Sequence, residues 1–123
     1  MTPLGAKLRA LREQRGVTLK QMAEALNVSS AYLSALEHGK RGVPTWYLLQ
    51  RIITYFNVIW DEAEELQRLA EVSDPRVVIE TGGLAPEATE LANRLAAEIG
   101  RLAPEDLRFI RNEVIKRAGR TNV

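Results

Sequence analysis

Two serines, two alanines and a histidine fall on one side of a short helical pattern near the front of this chain. They are Ser30, Ala31, Ser34, Ala35 and His38, with Leu33 and Leu36 on the opposite side. Side chains this small can lie flush against another macromolecular surface, offering single hydrogen bonds and methyl contacts, without leaving a large apolar patch exposed in the free state. His38 is the sole imidazole in the 123 residues. Next to Gly39, it is suited to capping the end of its helix or touching a phosphate rather than to catalysis. Lys40 and Arg41 follow at once, in a loop set by Gly42 and Pro44.

Other chemistries lack their residues. There is no cysteine, so disulfides and thiolate metal sites are excluded, and one histidine cannot build an imidazole cluster. No Ser/His/Asp arrangement, glycine-rich phosphate loop or internal repeat occurs. No cofactor or metal is therefore expected, and an enzyme is the least favoured class.

The elements that would hold the small face are written in local signals. Thr18 is a good N-cap, and Met22, Ala23 and Leu26 behind it give a helix of about two turns. Asn27 tolerates a left-handed backbone and can close that helix; Val28 is an apolar staple, and Ser29 caps a second helix that begins at Ser30 and stops at Gly39. An opening helix carries Leu4, Leu8 and Leu11 and ends at Gly16. Thr45 starts a further helix with Leu48, Leu49, Ile52, Ile53 and Phe56 spaced for burial, and Asn57 and Val58 close the domain; Trp46 and Tyr47 are expected to pack or anchor the loop.

Charge divides the same way. Residues 1–58 carry eight Lys/Arg against three Glu, a balance of +5, and residues 59–123 carry nine against thirteen acids, a balance of −4. The half with the paired short helices is the half suited to a polyanion.

Ala23, the turn at Asn27-Val28-Ser29, and Tyr32-Leu33-Ser34 with Leu36-Glu37, Gly39 and Lys40 resemble the helix-turn-helix of the Xre/Cro/C1 family of bacterial and phage DNA-binding regulators. The likeness runs from about Leu4 to Val58. It implies a five-helix, lambda-repressor-like domain whose third helix enters the major groove of double-stranded DNA. It further implies that Ser30, Ala31, Ser34 and Ala35 approach base edges, and that Arg12 pairs with Glu37 to fix the angle between the first and third helices. Phosphate contacts are expected from Thr18, Lys20, Tyr32, His38, Lys40 and Arg41. No long Gln, Arg or Asn stands at the base-reading positions, so serine hydroxyls, water bridges, alanine–thymine methyl contacts and DNA shape must carry the readout. Family members often place Gln just inside the second helix. Leu19 stands there instead, leaving Lys20 or free N–H groups at Thr18 to substitute.

From Ile59 the pattern changes. Asp61, Glu62, Glu64 and Glu65 open an acidic helix, which reads as a solvated, dipole-matched front rather than a metal site. Ser73-Asp74-Pro75 breaks the chain, and Arg76 to Thr81 is the one stretch that reads as a strand. Pro86 and Pro104 start two amphipathic helices joined by residues 100–103. A hairpin alone buries too little to be firmly stable, so a homodimer is expected through Val77, Val78, Ile79, Leu91, Leu95, Ile99, Leu107, Ile110 and Val114, the other arrangement being a hairpin folded back near Trp60. Residues 119–123 read as a frayed tail.

The sequence thus predicts an all-α chain with a DNA-binding domain over 1–58, a connecting acidic helix over 59–74, and a dimerisation segment over 75–123 made of a short strand and a helical hairpin. With no signal pattern or membrane-length apolar run, a cytoplasmic location is expected. The function expected is a dimeric repressor at a palindromic operator. The alternatives are an antitoxin that grips a protein partner through its C-terminal half, and an interaction module that has lost DNA binding.

Overall fold

The computed structural model describes residues 1–119; residues 120–123, most of the expected tail, lie outside the described residues. The chain divides into two compact units, Met1–Val77 and Val78–Val123.

The first unit holds α1 (Pro3–Gln14), α2 (Leu19–Leu26), α3 (Ser30–Glu37), α4 (Trp46–Phe56) and α5 (Asp61–Glu71). Its first four helices begin where short polar side chains satisfy free amides, while α5 starts at Trp60 with no side-chain cap. The hydroxyls of Thr2, Thr18, Ser29 and Thr45 accept from Gly5, Gln21, Tyr32 and Leu48 N–H respectively. α2 and α4 end on asparagines in the left-handed conformation, Asn27 at φ 57° and Asn57 at φ 53°. The core joins Leu4, Leu8 and Leu11 of α1 to Met22, Ala23, Leu26, Leu33, Leu36, Leu49, Ile52 and Phe56, and closes with Val58 and Leu66.

Leu66 alters the expected division of the chain. Residues 1–58 contain four helices, and the fifth is the acidic helix that the sequence had suggested as a connector. α5 packs on α1 and α4 with Leu66 fully buried and Ala63, Leu69 and Ala70 against the core. Lys7 of α1 lies 3.8 Å from both Glu62 and Glu65, so part of the acidic face turns toward the basic opening helix. Ser73 then fastens the end of the unit: its buried hydroxyl accepts from Leu4 N–H at 2.9 Å and donates to the carbonyl of Leu69. The compact unit accordingly runs to Val77. Trp46 and Tyr47 do not pack in the core but stand exposed, and Trp60 is 80% exposed at a positive φ of 54°.

The second unit holds α6 (Pro86–Glu98), a 3-10 turn (Ile99–Arg101) and α7 (Pro104–Gly119). Both helices start on the expected prolines, with Glu87 and with Glu105 and Asp106 in their first turns. Residues 76–81 form no strand, and no strand occurs among the described residues. β-branched side chains favour an extended backbone, but a ladder needs a second row of amides and carbonyls, and the single chain offers none. Val77, Val78 and Ile79 are exposed instead. No residue of 78–119 is buried, and Leu91, Ile99, Leu107, Phe109, Val114 and Ile115 all stand open to solvent.

Candidate nucleic-acid interface

The turn from α2 into α3 spans only residues 27–29, so the two helices are held at a fixed angle by few bonds. The Val28 amide donates to Ala23 O at 3.0 Å, and the hydroxyl of Ser29 takes the Tyr32 amide at 3.0 Å. Leu33 and Leu36 are buried, which turns the opposite side of α3 outward: Ser30 and Ala31 are exposed, and Ser34 and Ala35 are half-buried farther along. The structure therefore gathers the four small residues on one side of α3, graded in exposure from its start.

α3 is anchored from behind by charge. Arg12 Nε donates to Glu37 Oε2 at 2.9 Å, and a second guanidinium nitrogen donates to Glu37 Oε1 at 3.2 Å, a two-pronged pair in which the Glu37 side chain is only 2% exposed. A third bond from Arg12 reaches Val17 O at 3.2 Å, tying the loop before α2 into the same cluster. The hydrogen bond to Glu37 raises the pKa of Arg12 above its ordinary value, with burial opposing and the charge of Glu37 adding to it. The Arg12 guanidinium is therefore held in its charged form, and removing either member of the pair would strand the other away from water.

Two glycines set how closely the helices meet. A Cβ on Gly5 would collide with the main-chain oxygens of Leu36 and Glu37, so α1 crosses α3 nearly backbone to backbone. Gly39, at φ 74°, ends α3 in a conformation that other L-residues resist, and it rests against Thr2. Nothing in the local pattern announced the role of Gly5; a glycine within an amphipathic helical stretch was the available signal.

Cationic and polar groups border the outward side of α3. Lys40 and Arg41 are exposed, with the Arg41 guanidinium 6.0 Å from the ring centre of half-buried Tyr32. His38 caps the helix end, its Nδ1 2.8 Å from Ser34 O, which leaves Nε2 as the free ring nitrogen. Lys20 is exposed in the first turn of α2.

Thr18 differs from expectation in one respect. Its amide is not free, because it donates to Gln21 Oε1 at 2.9 Å while its hydroxyl accepts from Gln21 N–H at 3.1 Å. This reciprocal capping box is legible as Thr-x-x-Gln in the sequence and was missed there. The amides of Leu19 and Lys20, which as first-turn groups have no partner within the helix, are the donors α2 can present.

A family model described as a helix-turn-helix domain matches residues 3–66, a stretch that ends inside α5. The chain is 52% identical over 44 residues to the HTH-type transcriptional repressor RghR of Bacillus subtilis (strain 168), covering 36% of this chain and 33% of that protein. It is 36% identical over 61 residues to the HTH-type transcriptional regulator RghRB of the same organism, covering 50% of this chain and 44% of that one. These matches span less than half the length of either relative. A solved structure of a SinR protein/SinI protein complex is similar at a TM-score of 0.44 and 20% identity, over 94% of this chain and 98% of that chain.

Proposed function

The chain belongs to the helix-turn-helix domain family, and from that premise we propose that it is a DNA-binding transcription regulator of the Xre/Cro/C1 type, acting as a dimeric repressor at a palindromic operator. The observation that carries this reading is the side of α3 bearing Ser30, Ala31, Ser34 and Ala35, anchored from behind by Arg12–Glu37 and bordered by Lys40 and Arg41. Such a helix can enter a major groove while the flanking cations neutralise phosphates. Thr18, Lys20, Tyr32 and His38 are assigned to the backbone on either side. Because the base-facing side chains are short, affinity rests on phosphates and DNA shape more than on bidentate base pairs.

Dimerisation is assigned to Val77 at the end of the first unit and to Val78, Ile79, Leu91, Leu95, Ile99, Leu107, Ile110 and Val114 of the second. The expected packing of α6 on α7 as a hairpin is not seen, since the two helices scarcely touch; two such helices with no buried residue need a partner surface to hold them. A second copy suits it by charge. α6 carries Glu87, Glu90 and Glu98 against Arg94, a balance of −2. α7 carries Arg108, Arg111, Lys116 and Arg117 against Glu105, Asp106 and Glu113, a balance of +1. A two-fold axis would set each acidic helix beside a basic one. No helix among the described residues is long and apolar enough to cross a membrane; a cytoplasmic site of action goes with the reading.

The test is a duplex-binding titration over a range of salt. The full chain should lose affinity steeply as salt rises, and Ser34→Glu and a Lys40→Glu/Arg41→Glu pair should each abolish operator binding while circular dichroism stays unchanged. Salt-independent or absent binding to any duplex would refute the reading in favour of an interaction module. A monomer in isolation that co-purifies with a different small protein would favour the antitoxin.

A further inference from the structure

Within the first unit a cleft of about 340 Å³ opens between α2 and α4, on surface that the proposed DNA contacts do not use. Its apolar lining includes Ala25 and Leu26 of α2, and Tyr47 and Tyr55 of α4 stand along it. Two polar groups join them. The side-chain nitrogen Nε2 of Gln50 is buried and has no hydrogen-bond partner, although buried polar groups are ordinarily paired. Arg51, on the next position of α4, lies with its guanidinium 5.9 Å from the ring centre of Tyr47 and has no carboxylate partner among the described residues.

The amide without a partner asks for an acceptor and the guanidinium without a carboxylate asks for an anion, and one carboxylate group answers both. The aromatic and aliphatic lining asks for an apolar body attached to it. We propose that this cleft is a binding site for a small organic carboxylate with an aromatic or branched apolar body. The carboxylate accepts from the Arg51 guanidinium and, as the Gln50 side chain turns its buried Nε2 toward the cleft, from that amide as well, and the body lies along Ala25 and Leu26 beside the two tyrosines. The volume is at the lower end of the small-molecule range, which limits the ligand to about one ring or a short branched chain. The site stands on α2 and α4 alone and does not depend on the DNA-binding reading.

The experiment is a nitrogen-15 correlation NMR titration of the full chain with sodium benzoate, with benzamide and benzylamine as matched neutral and cationic probes. Benzoate should give saturable shifts concentrated on the Gln50 side-chain amide and on the backbone amides of Ala25, Arg51 and Thr54, and benzamide should bind at least about tenfold more weakly. Arg51→Met, a change at the cleft surface, should weaken benzoate by about tenfold with the rest of the spectrum preserved, and Gln50→Leu should do the same. Shifts that are dispersed and do not saturate, equal or better binding of benzamide or benzylamine, or benzoate binding indifferent to Arg51→Met would each overturn the proposal.

Discussion

Residues 1–77 contain every buried apolar side chain among the described residues, and residues 78–119 contain none, although both stretches are mostly helical with amphipathic periodicity. In the first unit the apolar stripes of five helices face one another, and the polar groups left inside are tied to partners, Arg12 to Glu37 and Ser73 to Leu4 and Leu69, with Gln50 Nε2 the exception. In the second, two helices present stripes of the same kind but scarcely touch each other, so neither stripe is covered. Helical pattern is thus common to both, and burial is not. What distinguishes an autonomous domain from an assembly element is whether enough stripes converge within one chain.

That contrast can be broken most severely by where the chain is cut. A fragment of residues 1–77 should melt in one cooperative transition by circular dichroism, and a fragment of residues 1–58, deprived of Leu66 and Ser73, should show none; two equal melts would return α5 to the status of a connector. Next in size is Glu37→Ala, expected to cost about 3–5 kcal/mol in urea unfolding because Arg12 is left charged and largely buried. Adding Arg12→Met should recover much of that loss, and a double variant as weak as the single one would mean the damage lies in packing.

Leu66→Ala should cost about 2–5 kcal/mol as a core cavity. On the other side of the divide, Leu91→Asp with Ile99→Asp should move the melt of the first unit by no more than about 0.5 kcal/mol while turning a sedimenting dimer into monomer. A dimer that survives both aspartates would place the interface elsewhere. The smallest effect is Lys40→Ala, which should leave stability alone and lower the slope of log affinity against log salt by about 0.9, one phosphate's worth.

What could be read from the sequence was what is decided locally. Thr18, Asn27, Ser29 and Thr45 act within three or four residues of themselves, and each stands at the helix boundary its chemistry suggested. The small side of α3 followed from the same reasoning, since Leu33 and Leu36 fix which way the helix turns. Three features were not legible, and each depends on a partner distant in the chain. Leu66 lies in a helix whose acids dominate its composition, and only contact with α1 and α4 shows it to be core. Arg76–Thr81 has the composition of a strand, but pairing is a property of two segments. The closeness of α1 to α3 at Gly5 is visible only once both helices are placed.

One small clasp sets a length. The hydroxyl of Ser73 pins the chain to the start of α1, and Thr81 is held again at the other side, its hydroxyl 2.7 Å from that of Thr89 on α6. Seven residues, 74–80, lie between these two clasps, a span of at most roughly 25 Å when drawn straight. In a dimer of the kind proposed, two such spans end to end outreach the ~34 Å between adjacent half-sites. The span thus sets an upper bound: half-sites drawn farther apart than two such lengths should no longer be held by one dimer.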